Sequence, residues 1–298
     1  MTVLLAWVLP MWIIGFLPET KKEDNDPPLQ ASRKIPVVVS TGETVIMELE
    51  EYVCRAVAGE MPASFAQEAL KAQAVLCRTY AYKRVLDADK HPEGAVCTDS
   101  SCCQAFSDAL PAENVQQAVL DTAGQVLMYD NALIEATYFS CSGGMTEDAA
   151  AVWGTDVPYL QAVESPGEEG SRHYVTTVHF TKEQLAQALQ LDVLQMQGNY
   201  IAKTTYTDGG GIASVTIGGK RFTGVELRKL LSLKSTSITI TPVGDGVMIT
   251  TKGYGHRVGM SQYGADAMGV AGCDYREILQ HYYKGVQITV FDKTLPFL

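Results

Sequence analysis

Apolar positions along the chain change their period several times, and each change marks an element. Residues 37–40 and 44–49 are β-branched runs on either side of Thr41-Gly42, which predicts a hairpin. Helical spacing follows from Glu50 to Ala58, with acidic residues in the first turn, where the helix dipole favours them, and Gly59 as the expected stop. Met61 precedes Pro62 and is biased toward extended backbone, so the chain has to turn near Glu60. Ser64 and Gln67 have capping-box spacing. Phe65, Ala69, Ala72, Leu76 and Tyr80 then form one stripe of a second helix reaching Arg84. The pattern predicts two helices joined by a short, stiff corner that carries one carboxylate, Glu60.

Residues 113–122 read as a helix, 125–129 as a strand, Asp130-Asn131 as a turn and 133–140 as a second strand. From residue 171 the texture changes to a strand (175–180), a helix (181–191), hairpin signals at Gly209-Gly210-Gly211 and Gly218-Gly219, and a short helix (225–231). Helical spacing returns after Ser261 and again over 274–283, closed by Gly285. The expected fold class is α+β. A core of helical corner and β-hairpin spans 36–170 and 245–298, and a smaller α+β subdomain is inserted over 171–244.

Residues 3–17 are an apolar run, and residues 18–35 an acidic, proline-containing linker. The run is shorter than the roughly 20 apolar residues of a spanning helix and has no cationic flank. Because an acidic tether follows it directly, residues 1–17 are expected to form an N-terminal membrane anchor. With a formal net charge of −11 over 298 residues, the chain lacks the clustered cations that bind a phosphate backbone, which argues against a nucleic-acid partner. Its seven cysteines are odd in number and partly clustered, which suits a metal site plus buried thiols better than a disulfide framework.

Five stretches carry candidate chemistry. A carboxylate at Glu60, held by two packed helices, has the rigid placement that proton transfer requires. His91, Cys97, Cys102 and Cys103 lie in one polar loop and form a zinc-type donor set. Four protein ligands close the coordination sphere, so the expected role of zinc is structural; a Cys97 disulfide to Cys102 or Cys103, or idle thiols, are the alternatives. The turn Cys141-Ser142-Gly143-Gly144-Met145-Thr146 lets backbone approach a ligand, with Ser142 and Thr146 able to hydrogen-bond sugar hydroxyls. Trp153 and Tyr159 stand beside turn residues as candidate groove aromatics. The segment 253–265 gathers His256, Ser261, Gln262 and two tyrosines among four glycines.

Three reactions can be built from these parts. Glu60 can protonate a glycosidic oxygen. Most glycosidases also need a second carboxylate, and none stands out here. A lytic transglycosylase needs none, because the substrate's own hydroxyl attacks the anomeric carbon. Cys141 with His256 as base and Asp266 as orienting group would make a cysteine hydrolase. A zinc hydrolase is disfavoured by the closed ligand set. A non-catalytic wall-binding or amidase-activating module is the reading without chemistry.

Several motifs coincide with one family. Glu51-Tyr52-Val53, Gly59-Glu60-Met61-Pro62-Ala63-Ser64-Phe65, Ala69-Leu70-Lys71-Ala72-Gln73-Ala74-Val75, Arg78-Thr79-Tyr80, Ser142-Gly143-Gly144, Val152-Trp153-Gly154, Pro158-Tyr159-Leu160 and Gly259-Met260-Ser261-Gln262-Tyr263-Gly264-Ala265 resemble stage II sporulation protein D, a family that also includes the amidase enhancers. The resemblance extends over about residues 36–290. It implies a membrane-anchored lytic transglycosylase of endospore formers, extracytoplasmic between the mother-cell and forespore membranes. Such an enzyme cleaves peptide-stripped glycan between N-acetylmuramic acid and N-acetylglucosamine, leaving a 1,6-anhydro end. The implied partners are peptidoglycan strands, a sporulation amidase and a third membrane protein of engulfment. The family's catalytic glutamate falls on Glu60, and its substrate positions on Ser142, Thr146, Tyr159 and Ser261, to which His256 and Gln262 are added from the same loop. Some clostridial members bind zinc through His, Cys, His and Cys; here Cys102 stands where His is expected. Arg257 stands where Gly is expected, and a cation there could alter the groove or contact the muramic carboxyl.

Overall fold

The computed structural model describes residues 33–291. The anchor expected at residues 1–17, and all of the linker but its last residues, lie outside them. Among the described residues no helix is long and apolar enough to cross a membrane.

The chain opens with the expected hairpin, β1 (Lys34–Val38) and β2 (Thr44–Glu48), paired antiparallel from Lys34 against Glu48 to Val38 against Thr44. Helix α1 (Leu49–Glu60) follows without a break and buries Tyr52, Val53, Ala56 and Val57. It runs one residue past the expected stop, to Glu60, and is capped by Met61, whose backbone is extended as the following proline requires. Gly59 is therefore inside the helix, and its reason is packing. A Cβ there would lie 2.6 Å from the Phe106 nitrogen and 2.7 Å from the Ala105 carbonyl carbon, so only glycine lets that backbone approach.

Helix α2 (Gln67–Asp87) is the central element, with both polar and apolar side chains buried along its length. Its N-terminus departs from expectation. The Ser64 capping box is not formed; Ala66 is the cap residue, and its amide donates to Asp266 Oδ1 at 2.7 Å. Within α2, Arg78 is fully buried and forms a bidentate pair with Glu50, at 2.8 and 2.6 Å.

Strand β3 (Val96–Cys97) joins β1 in parallel. Next come α3 (Glu113–Asp121), β4 (Gln125–Tyr129), β5 (Ala132–Leu133) and β6 (Tyr138–Phe139), so the single strand expected over 133–140 is two short pieces with irregular backbone between. Strand β7 (Gly144–Met145), α4 (Ala149–Trp153) and β8 (Glu164–Ser165) complete this part.

A second core then builds up. Strand β9 (Val175–Thr181) leads into α5 (Lys182–Leu189), where Thr181 and Gln184 form a capping box. Strands β10 (Ile201–Tyr206), β11 (Ile212–Ile217) and β12 (Lys220–Phe222) make an antiparallel sheet, followed by α6 (Gly224–Leu230). Strands β13 (Ser237–Val243) and β14 (Gly246–Lys252) pair with β9 in the order β13-β14-β9. Leu185, Leu189, Val215, Ile217, Leu227, Val247 and Ile249 form a cluster of their own, so this core takes in β14, beyond residue 244.

The chain returns to the first core through β15 (Met260–Ser261), α7 (Gln262–Val270), α8 (Tyr275–Tyr282) and β16 (Gln287–Val290). Strand β15 pairs in parallel with β6, Met260 against Tyr138 and Ser261 against Phe139. β16 pairs antiparallel with β4. The architecture is α+β, as expected.

Candidate active site

Glu60 is the last residue of α1, and three groups from distant parts of the chain converge on its carboxyl. The Ala105 amide donates to Oε1 at 2.7 Å, the Tyr138 hydroxyl donates to the same oxygen at 3.0 Å, and Gln262 Nε2 donates to Oε2 at 3.4 Å. The β6–β15 pairing brings Tyr138 and Gln262 together, since the first lies on β6 and the second directly follows β15. The glycine at position 59 brings Ala105 in. Burial raises the Glu60 pKa above the ordinary carboxylate value, and the hydrogen bonds from Ala105, Tyr138 and Gln262 offset part of that rise.

Two cavities meet at this carboxyl. One, of about 400 Å³, is lined by Glu60 with Tyr80, Tyr138, Phe139, Tyr254 and His256 among others. The other, of about 310 Å³, is lined by Glu60 with Phe65, Arg172, His173 and Tyr263. Both share Ser140 and Gln262, so Glu60 lies where they join. Among the described residues lining either cavity, Glu60 is the one carboxyl.

Of the residues expected to bind substrate, His256 and Gln262 line Glu60's cavities, and Ser142, Thr146, Tyr159 and Ser261 do not. The His256 ring packs against Phe139 and Trp153, each at 5.6 Å between centroids, and its Nδ1 accepts the Val258 amide at 3.1 Å. Burial and the Arg228 charge lower its pKa to about 4, so the imidazole is neutral near pH 7. Ser142 is fully buried, its hydroxyl donating to Glu168 Oε1 at 2.8 Å. Thr146 is fully buried and accepts the Val163 amide at 2.8 Å. The Tyr159 hydroxyl accepts the Glu135 amide at 2.9 Å, and its ring packs on Tyr129. Ser261 is buried as the N-cap of α7. None of the four lines either cavity. Gly143 of the 142–144 turn meets the chain's own backbone: a Cβ there, at φ +74°, would lie 2.6 Å from the Lys252 carbonyl carbon.

Cys141 and His256 form no pair. The Cys141 thiol is buried, donates to Glu168 Oε2 at 3.0 Å, and is pushed up to about 12 by burial and then by that carboxylate, the opposite of an activated nucleophile. Asp266, the third member of that arrangement, is occupied at the start of α2. Arg257 does not reach either cavity. It is 1% exposed at φ +66°; its guanidinium pairs with Glu147 at 3.2 Å and donates to the Met145 and Gly209 carbonyls at 2.7 and 2.8 Å.

Sequence reasoning missed Tyr138, Ala105, Gln104 and Glu168. Tyr138 was hidden in an ordinary-looking strand, and the Ala105 contact is made by backbone, which leaves no residue-type signal. Glu168 accepts from Ser142, Gly143, Ser165 and Cys141, closing the glycine turn from within.

The donor atoms of His91, Cys97, Cys102 and Cys103 all lie within 4.8 Å of one another, and Cys102 Sγ is 3.3 Å from His91 Nε2. Ligands about 2.3 Å from a tetrahedral ion stand roughly 3.8 Å apart, so this set could hold a metal ion with small adjustments. A tight turn explains how adjacent cysteines serve one point: the amides of Cys102 and Cys103 both donate to the Asp99 carbonyl, at 3.0 and 2.8 Å. Cys103 also lines the larger cavity, and two residues on is the amide that holds Glu60.

The sequence comparisons bear on the same corner. A family model described as a stage II sporulation protein matches residues 40–129, which contain Glu60 and the metal-type loop. Stage II sporulation protein D of Bacillus subtilis (strain 168) is 37% identical over 278 residues, covering 88% of this chain and 80% of the relative. The chain belongs to the stage II sporulation protein D family. The Bacillus amyloliquefaciens protein of that name is 36% identical with the same coverage. The amidase enhancer of Bacillus subtilis (strain 168) is 30% identical over 78% of this chain and 39% of its own length, so the family is related to amidase enhancers.

Proposed function

We propose that this chain is a lytic transglycosylase that cleaves peptide-stripped peptidoglycan strands during sporulation, with Glu60 as acid and then base. The supporting observation is a single half-buried carboxyl, its pKa raised, at the junction of two cavities that hold no second carboxyl among the described residues. A strand crossing that junction would put sugars on both sides of the bond to be cut. Protonated Glu60 gives its proton to the glycosidic oxygen as the bond to the muramic anomeric carbon breaks. The muramic 6-hydroxyl oxygen then bonds that carbon and returns its proton to Glu60, closing the 1,6-anhydro ring without water. Neutral His256, Tyr254 and Phe139 would pack on the sugar, and exposed Arg172, in the smaller cavity, is placed to meet a lactyl carboxylate freed of its peptide. That role passes to Arg172 because Arg257 is buried in its own ion pair.

In the same reading His91, Cys97, Cys102 and Cys103 hold a structural zinc. Four protein ligands leave no open position, so its chemistry is to tie the loop that presents Ala105 and Gln104. Residues 1–17 would anchor the protein with this domain extracytoplasmic, beside a sporulation amidase and a third engulfment protein. Membership in a family related to amidase enhancers supports a second reading, a wall-binding protein without turnover.

Mass spectrometry of products from peptide-free glycan tests the choice. Wild type is expected to release anhydro-muramyl ends, and Glu60→Gln to lose about 10²- to 10⁴-fold in rate. Glycan binding without anhydro products from wild type would establish the second reading instead.

A further inference from the structure

The two oxygens of Glu60 are held unequally, and the inequality traces to a buried relay that begins at Tyr52. The Tyr52 hydroxyl donates to Gln104 Oε1 at 3.2 Å, as it must, because an amide oxygen only accepts. That turns the other end of the amide toward Tyr138, and Gln104 Nε2 donates to its hydroxyl at 2.8 Å. With the Tyr138 oxygen accepting there, its hydrogen goes to Glu60 Oε1 at 3.0 Å. The reverse amide orientation would draw the Tyr138 hydrogen to Gln104 and leave the carboxylate facing a lone pair, so the charge on Glu60 favours the direction described. Tyr52 and Gln104 are 0% and 1% exposed, so water does not compete for the bond between them.

Oε1 therefore accepts two hydrogen bonds, from Tyr138 and from the Ala105 amide, while among the described residues Oε2 has only the 3.4 Å contact from Gln262. A hydrogen placed on Oε1 would point into two donors. On Oε2 it meets an amide that accepts when Gln262 is turned over and donates to the ionised form as drawn. We propose that Oε2 is the oxygen that gives and takes the proton, and that Gln104 and Tyr138 are the positioning residues that make it so. The proposal rests on the reading of Glu60 as the acid and base of the reaction.

Infrared spectroscopy of the full chain tests it. The carbonyl stretch of protonated Glu60 is isolated as the band present in wild type at acid pH and missing from Glu60→Gln. With the proton on Oε2, the carbonyl oxygen is Oε1. Tyr138→Phe, which removes one of its two donors without changing shape, should then move the band to higher frequency, and Gln262→Met should leave it in place. Gln104→Glu replaces the amide donor by an oxygen that takes the Tyr138 hydrogen, and should move the band as Tyr138→Phe does. A band that responds to Gln262→Met and not to Tyr138→Phe would overturn the assignment, and an unmoved band in Gln104→Glu would overturn the relay. On peptide-free glycan, Tyr138→Phe should lower kcat by roughly 2- to 10-fold, the worth of one neutral hydrogen bond, with KM unchanged. The expected band shifts in a protein that releases no anhydro product would leave the proton assignment standing and remove the lytic reading.

Discussion

Glu60 is held in a place that works against the stability of the fold. Burial raises its pKa, so above the unfolded value the folded protein must ionise a carboxyl it would keep protonated, and stability falls as pH rises through the folded pKa. Glu60→Gln removes that penalty. We expect the variant to melt above wild type at neutral pH and level with it at about pH 3, where Glu60 is protonated in both states; a thermal melt at each pH measures this. Its neighbour Gly59 acts by leaving space. Gly59→Ala should force the Ala105–Phe106 backbone outward, lengthen the bond to Glu60 Oε1, and lower activity by roughly 10²-fold, the effect of a misplacement of about 1 Å. Steady-state kinetics on a properly folded variant would show it.

At the level of elements, the corner between α1 and α2 is stiff because other elements hold both its sides. Asp266 on α7 supplies the hydrogen bond to Ala66 that Ser64 does not, and the 91–105 loop closes over the end of α1. The pairing of β6 with β15 joins segments more than a hundred residues apart and places Tyr138 and Gln262 on one carboxyl. If zinc ties the loop, a chelator should lower the melting temperature and make the loop thiols reactive toward a thiol reagent. It should also raise hydrogen exchange at Ala105, while the second core keeps its protection. Full stability and unreactive thiols in metal-free protein would exclude zinc from this role.

At the scale of the whole molecule, the two hydrophobic cores meet along a buried polar joint. Arg257 reaches from the first core to Glu147 and to the Gly209 carbonyl of the β10–β11 turn, and Thr207 donates to Glu147 at 2.9 Å. A Cβ on Gly211 would lie 2.1 Å from Glu147 Oε1, so the glycines of that turn are there to admit the carboxylate. Arg257→Gly would relieve a left-handed backbone position but leave Glu147 buried without its cation, and should destabilise the protein by about 3–5 kcal/mol in urea unfolding. Adding Glu147→Gln should recover part of that loss, because no charge is then stranded.

Much of this was legible along the chain. The hairpin, the two helices, the second core's helix after Thr181 and the closing helix after Asp274 follow from local period and stop signals, which act between residues a few positions apart. Glu60 at a corner followed from Met61-Pro62 for the same reason. What distant elements donate was not legible: the Ala105 amide, the Tyr52–Gln104–Tyr138 relay, the cap from Asp266, and the burial of Ser142, Thr146 and Ser261. A hydroxyl or a glycine has the same local signature whether it faces a ligand or its own backbone. The difference lies in what packs against it, and only the tertiary structure decides that.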